Sequence, residues 1–182
     1  MHFGQEHDLF RSALRRLVQE EIAPHVDEWE EQQKIPRDLF RRMGKLGYLG
    51  VEFPAEYGGA GADFWMSVVL AEELARCRSG GVAFSVIVHT DMSSPWLARL
   101  GTESQKARFL PSITSGEKVS ALAITEPDAG SDPGGMKTVA RKTDDGYVLN
   151  GSKMWISNSP FADVFVVWAK SDAHGGKIRG FV

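Results

Sequence analysis

The sequence predicts an α+β fold, in which an N-terminal all-helical bundle over residues 1–116 precedes an incomplete antiparallel β-barrel-like domain over residues 117–182. Two observations divide the chain in this way. Up to Gly116, apolar residues recur at the spacing of a helix with one buried face. After Gly116, they occur in short runs separated by turn residues, which is typical of strands.

The first two helices are predicted from their apolar stripes. Residues 5–22 carry apolar side chains at helical spacing, and Pro24 is expected to end or kink that helix. Pro36 stands where a second helix can begin, and Gly47 where it can end. A proline and three glycines within residues 51–61 predict an ordered loop.

Three further helices complete the predicted bundle. One is expected over residues 63–78, and a more apolar one over residues 82–100, with Pro95 as a kink or a break. Thr102 and Gln105 form a capping-box pattern, because each side chain can bond to the backbone N–H of the other residue. This pattern predicts the start of a fifth helix.

Short runs after Gly116 predict the strands. The runs cover residues 119–124, 137–142, 147–149, 152–156, 164–170 and 178–182. The second and third flank Asp144-Asp145-Gly146, a turn sequence that predicts a hairpin. The last run ends within an apolar β pattern, which predicts a truncated sheet with a free edge.

The composition excludes several classes of function. The 182 residues are 42% hydrophobic and 25% charged, with a net charge of −3 and both signs mixed, so nucleic acid or an anionic membrane is not an expected partner. No apolar run approaches the roughly 18 residues of a membrane span. The polar N-terminus lacks the features of a signal peptide, so a cytoplasmic location is expected. The single cysteine, Cys77, fits a reducing compartment and is interpreted as a packing residue.

Most other candidate reactive groups are interpreted as structural. The five histidines show no ligand spacing, so no metal site is expected, and His89 is interpreted as a hydrogen-bonded core histidine. Glu72 and Glu73 point about 100° apart on a helix, which favours a solvated face over an acid–base pair. The glycines within residues 58–61 lack the strand-to-helix context of a dinucleotide-binding turn.

Two polar stretches form the candidate site. Residues 121–132, Ala-Leu-Ala-Ile-Thr-Glu-Pro-Asp-Ala-Gly-Ser-Asp, pass from an apolar run into a loop rich in hydroxyls and carboxylates, where Pro127 and Gly130 are expected to set the backbone. Residues 154–159, Met-Trp-Ile-Ser-Asn-Ser, supply an aromatic plane followed by small hydrogen-bond donors. Together they predict a site for a flat, hydrogen-bonding ligand that carries a phosphate tail.

These two stretches resemble the paired flavin-binding signatures of acyl-CoA dehydrogenases. The resemblance implies that FAD is bound by Leu122, Ala123, Ile124, Thr125, Glu126, Gly130, Ser131, Trp155, Ile156 and Ser157. It implies that Thr125 and Ser157 contact the flavin ring, with Ser131 near the phosphates and the acyl-CoA substrate. Many members have Thr where this chain has Ser157, and Ser keeps the hydroxyl. Asn-Ser-Pro at 158–160 replaces the Asn-Gly of many members, which is expected to alter only a turn.

The resemblance also implies a reaction, the FAD-dependent α,β-dehydrogenation of an acyl-CoA thioester, with an electron-transferring flavoprotein as acceptor. The full-length form is expected to be a homo-oligomer. In the family, the catalytic Glu lies in a second helical domain that follows the β domain. No catalytic base is therefore expected in these 182 residues, which are interpreted as a truncation, and the isolated chain is expected to have little or no activity.

Two alternatives and the substrate stay open at this point. The same fold could serve a flavin oxidase or monooxygenase, and the chain could be a non-catalytic flavin- or acyl-CoA-binding fragment. Residues 157–170 resemble the glutaryl-CoA branch, but Val82-Ala83 stands where glutaryl enzymes carry an Arg-Ser pair for the distal carboxylate. Because a carboxylate without a partner is costly to bury, we expect an uncharged aliphatic acyl group.

Overall fold

The N-terminal part of the chain is helical and the C-terminal part forms a five-stranded sheet, so the predicted α+β class is confirmed. The structure, a computed structural model, describes residues 3–182. His2, one of the histidines considered for a metal site, lies outside these residues. Within them, no helix is long and apolar enough to cross a membrane.

The structure contains seven α-helices and five strands among the described residues. The helices are α1 Gln5–Leu17, α2 Val26–Glu31, α3 Arg37–Lys45, α4 Phe64–Leu74, α5 Gly80–Ile87, α6 Ser94–Leu100 and α7 Glu103–Thr114. The strands are β1 Ser120–Ala123, β2 Val139–Thr143, β3 Gly146–Asn150, β4 Val164–Ser171 and β5 Lys177–Phe181. The predicted capping box is present at the start of α7, where the Thr102 N–H donates to Gln105 Oε1 at 2.9 Å and the Gln105 N–H donates to Thr102 Oγ1 at 3.2 Å.

Both predicted proline interruptions are accommodated by a change of helix type. A π-helical segment, Val18–Ile22, continues α1, and a 3₁₀ turn at Ala23–His25 leads into α2. A second π-helical segment, Val88–Ser93, separates α5 from α6. Pro95 occupies the first turn of α6, where its missing N–H removes no helical hydrogen bond. The chain therefore stays helical through both positions.

Helices α1 to α5 share one apolar core with the segment that precedes β1. Leu14, Phe40, Met43 and Leu74 are fully buried in it, and Val119 joins it from the segment that precedes β1. Helix α3 also meets the end of α7 backbone to backbone. A Cβ on Gly44 would lie 2.1 Å from the Ser115 carbonyl oxygen, so this contact requires glycine.

The prediction that Glu73 belongs to a solvated face is wrong. Its carboxylate is fully buried and binds three guanidinium groups, those of Arg11 at 3.0 Å, Arg15 at 2.7 Å and Arg76 at 3.1 Å. The hydrogen bonds from Arg15 and Arg11 lower the pKa of Glu73 to about 2 against the effect of burial. Glu73 thus joins α4 to α1, whereas the side chain of Glu72 is half exposed.

The sheet is mixed, which corrects the purely antiparallel prediction. The predicted hairpin is present as antiparallel β2–β3, and β4–β5 is also antiparallel. However, β1 and β2 both pair with β4 in parallel, and the sheet is not closed into a barrel. Alternation of apolar residues identifies a strand's faces but not its direction, because direction depends on how the intervening chain returns.

The predicted strand over residues 152–156 is also wrong. This segment is irregular, and Trp155 within it has a φ of 59°, which no strand can accommodate. Its run of Met154, Trp155 and Ile156 has the composition of a strand, but these side chains are half-buried or exposed and do not enter the core.

Candidate functional site

The structure brings the two predicted stretches into direct contact. The Met154 N–H donates to the Thr125 carbonyl oxygen at 2.9 Å. The Lys153 ammonium donates to the Ile124 carbonyl oxygen at 2.8 Å. The end of β1 and the segment before Trp155 therefore run side by side and form one site.

One side of this site offers an aromatic surface and free hydroxyl groups. Trp155 is 84% exposed, which is unusual for so large an apolar side chain, and its left-handed backbone conformation is strained for a non-glycine residue. Thr125 and Ser157 are half-buried. Neither hydroxyl makes a hydrogen bond within the described part of the chain. An exposed indole beside two available donors fits a flat ligand with polar edges.

Glu126 shapes the first loop from inside. Its buried carboxylate accepts hydrogen bonds from the Lys137 N–H at 2.6 Å, the Thr138 N–H at 3.0 Å and Lys153 Nζ at 2.8 Å. Burial opposes its ionisation, but the Lys153 ammonium and the two amides outweigh burial and lower the pKa of Glu126 to about 2. Its own N–H and carbonyl pair with Ala129 at 2.9 and 3.2 Å. The polar groups of Glu126 are thus already engaged within the protein.

The remaining predicted residues lie around this centre. Leu122 and Ala123 belong to β1, opposite Val166 and Val167 of β4, and Ile124 and Ile156 are half-buried beside it. Gly130 and Ser131 lie on the exposed part of the loop, before a 3₁₀ turn at Pro133–Gly135. Gly130 was expected to set the backbone with angles closed to other residues, but it has no positive φ, and a Cβ there would meet open space.

Comparison with known proteins agrees with this architecture over nearly the whole chain. Residues 4–117 match the N-terminal domain of acyl-CoA dehydrogenase, and residues 121–182 match the acyl-CoA dehydrogenase middle domain. The chain belongs to the acyl-CoA dehydrogenase family.

Individual relatives show how much of such a protein is present. The chain is 40% identical over 179 residues to the long-chain specific acyl-CoA dehydrogenase, mitochondrial, of Sus scrofa, which covers 95% of the chain and 41% of that protein. It is 42% identical over 169 residues to the mitochondrial isovaleryl-CoA dehydrogenase of Arabidopsis thaliana, covering 92% of the chain and 41% of the relative. The crystal structure of an acyl-CoA dehydrogenase complexed with FAD from Bacillus anthracis superimposes with a TM-score of 0.91 at 40% identity, covering 99% of this chain and 31% of that one. The chain thus spans about two fifths of the length of these two curated relatives.

Two further residues organise this site, and the sequence analysis assigned neither of them that role. Lys153 links both stretches, as described above. Asn158 is buried with a φ of 68°, and its Nδ2 donates to the carbonyl oxygens of Ser85 at 3.0 Å and Ser120 at 3.1 Å. Asn158 therefore attaches the Trp155 loop to helix α5 and to strand β1. The sequence analysis placed Asn158 among the small donors of the 154–159 stretch, whereas its side chain points to partners far away in the sequence.

His89 lies behind β1 and is confirmed as a core histidine. It is fully buried, its Nδ1 accepts the Ser120 N–H at 3.0 Å, and Nε2 can then donate to the Ile113 carbonyl oxygen at 3.1 Å. Burial lowers the pKa of His89 to about 4, so the ring is neutral at pH 7. Among the described residues, no group of three or more histidine, cysteine or acidic side chains could hold a metal ion.

Proposed function

We propose that this chain forms the FAD-contacting part of an enzyme that dehydrogenates the Cα–Cβ bond of an acyl-CoA thioester. The observation that carries this proposal is the Met154–Thr125 backbone hydrogen bond, which brings the stretch with the exposed Trp155 and the unengaged hydroxyl of Ser157 to the unengaged hydroxyl of Thr125. The names of the relatives and the FAD complex among the structural neighbours support it.

In this proposal, each part of the site has a distinct task. Trp155 covers a face or flank of the isoalloxazine ring, and Thr125 and Ser157 donate to its polar edge. The backbone of residues 122–126, with Ile156, forms the wall beside the ring. Gly130 and Ser131 contact the phosphate side, and Ser131 also contacts the acyl-CoA. When bound, FAD supplies the acceptor for the electrons removed from the substrate.

The base that removes the α-proton is proposed to come from outside residues 3–182. Glu126 is the buried carboxylate at the site, but three donors already bind it and its pKa is about 2. A carboxylate held in this way is a poor proton acceptor, because proton transfer is efficient when the pKa of the base is near the working pH.

The substrate is proposed to carry an uncharged aliphatic acyl group. Val82 and Ala83, which stand where glutaryl enzymes carry their Arg-Ser pair, are both buried and apolar. These positions therefore offer no cation to a distal carboxylate, and burying an unpaired carboxylate there would be costly.

The remaining parts of the proposal concern the whole enzyme. We propose an electron-transferring flavoprotein as electron acceptor, a homo-oligomeric full-length form and a cytoplasmic location. Slow reoxidation of the reduced flavin in air would support the dehydrogenase reading, whereas rapid reoxidation would favour the oxidase or monooxygenase alternative.

A visible absorption spectrum tests the proposal directly. The purified chain is mixed with FAD, desalted and scanned, and we expect a retained flavin band with one FAD per chain. The Trp155→Ala variant should retain less, because the aromatic contact is lost. A chain that keeps its helical circular dichroism but emerges colourless would contradict the proposal that these residues suffice to hold the cofactor.

A further inference from the structure

We propose that Lys153 is a positioning residue which, together with Glu126, fixes the two flavin-contacting stretches relative to each other and keeps the protein beside them electrically neutral. This inference rests on the proposed FAD site. It adds to that proposal a role for two groups that act through Thr125 and Trp155.

The contacts place the Lys153 ammonium between the two stretches. Nζ lies 2.8 Å from the Ile124 carbonyl oxygen and 2.8 Å from Glu126 Oε1, and the side chain is only 12% exposed. The next residue in each stretch completes the junction, because the Met154 N–H bonds to the Thr125 carbonyl oxygen at 2.9 Å. Lys153 therefore binds on both sides of Thr125 and stands two residues before Trp155.

The backbone of Trp155 explains why such an anchor is needed. Its φ of 59° is unfavourable for a residue with a Cβ and persists only where the surroundings impose it. Lys153 fixes the chain two residues before Trp155, and the buried Asn158 fixes it three residues after. Between these two anchors the indole faces solvent, so its own packing does not hold it in place.

The charges around Glu126 show that Lys153 is its balancing cation. Glu126 is buried, and a buried carboxylate requires a close opposite charge. The only hydrogen bond from Lys137 to Glu126 comes from its backbone N–H, since its ammonium pairs with exposed Asp128 at 2.6 Å and interacts with Glu126 only weakly, through space. Removal of Lys153 therefore leaves a negative charge beside the site, and neutralisation of Glu126 leaves a positive one.

Three variants test this inference by measurements of FAD binding to the chain. Lys153→Met is expected to raise the Kd for FAD by about tenfold or more, because the bonds of a charged donor are lost. Lys137→Met is the matched control, since its side chain is 73% exposed, and its Kd should stay within about twofold of the parent. The double variant Lys153→Met/Glu126→Gln should bind FAD better than Lys153→Met alone, because no unpaired charge remains.

Measuring the reduction potential of the bound flavin distinguishes a loss of charge balance from a general loosening of the fold. Glu126→Gln leaves a net positive charge and should make the potential more positive, whereas Lys153→Met should make it more negative. A purely structural role would move both variants in the same direction or neither. Equal potentials and affinities for Lys153→Met and Lys137→Met would overturn the inference.

Amide hydrogen exchange provides a readout that does not need FAD. In the cofactor-free chain, Lys153→Met should speed exchange at residues 121–126 and 153–157 relative to Lys137→Met, with little change in the helices. If the parent chain fails to bind FAD, the proposal that these residues suffice to hold the cofactor fails, and this exchange comparison still decides whether Lys153 joins the two stretches. Identical exchange in the two variants would refute that junction.

Discussion

At the residue scale, the hydroxyls of Thr125 and Ser157 determine how tightly the proposed cofactor is held. Each is half-buried and makes no hydrogen bond within the described residues, so each is available to a ligand. We expect Thr125→Val and Ser157→Ala each to raise the Kd for FAD by about two- to tenfold, the usual contribution of one hydrogen bond. An absorbance titration with FAD measures this change in Kd. Ser159→Ala is the control, because Ser159 lies exposed on the same loop, and an equal loss there would contradict the assignment.

His89 makes the fold sensitive to mild acid. Its pKa falls from an ordinary 6.5 to about 4 on folding, so protons bind preferentially to the unfolded chain. Stability is therefore complete above about pH 6.5 and is lost as the pH falls towards 4, by up to about 3 kcal/mol. Urea unfolding at pH 7.5 and pH 5.5 measures this loss. His89→Gln should flatten the slope between these values, and an unchanged slope would show that another group titrates there.

The low pKa values of Glu73 and Glu126 affect stability at a lower pH than His89 does. Both groups are ionised in the fold with a pKa of about 2, below their unfolded value of 4.5, so the stability they contribute is present above about pH 4.5 and is lost as the pH falls towards 2. The urea unfolding experiments on His89, at pH 7.5 and pH 5.5, are therefore made above the pH range in which these two glutamates titrate.

At the element scale, Asn158 joins helix α5, strand β1 and the Trp155 loop. Asn158→Ala leaves the carbonyls of Ser85 and Ser120 without this donor inside the protein. We expect a loss of about 1–3 kcal/mol in unfolding free energy, together with weaker FAD binding. Chemical denaturation measures the first effect. Asn150→Ala, at the exposed end of β3, should change neither property, and a similar loss there would argue against a special role for Asn158.

The elements also show which features could be predicted from the sequence. The helices, the hairpin and the capping box at Thr102 depend on residues a few positions apart, so local patterns located them. The parallel pairing of β1 with β4 joins residues about forty positions apart, as in Ser120 with Val164. Nothing local encodes such a pairing.

The same distinction separates the predicted from the unpredicted parts of the site. The two ligand-facing stretches were predicted because each is a contiguous motif. The prediction for Glu73 was wrong because its partners on α1, such as Arg15, lie about sixty positions away in the sequence. Lys153 was missed, and Asn158 was predicted only as one of the small donors of its stretch, because their roles depend on contacts near β1 and α5 that exist only in the folded chain.

At the scale of the whole molecule, we expect the chain to bind FAD without turning over an acyl-CoA substrate. The proposed site offers ring contacts, but its buried carboxylate, Glu126, is held ionised and is a poor proton acceptor. We expect the FAD-loaded chain to show little or no turnover of an acyl-CoA, because the α-proton has no acceptor. Mixing the loaded chain with acyl-CoA under anaerobic conditions and following the bleaching of the flavin band tests this. Rapid bleaching would show that a residue of this chain is the base.

The exposure of Trp155 gives the protein a built-in optical reporter. Of its five tryptophans, Trp155 is 84% exposed, Trp96 is 42% exposed, and the other three are partly shielded. The indole of Trp155 therefore emits from a watery environment and is the one most open to collision with a soluble quencher such as acrylamide. A flavin seated against it would both shield it and accept its excitation energy, so the loss of this red-shifted emission during a titration would follow occupancy of the site in real time, without any added label.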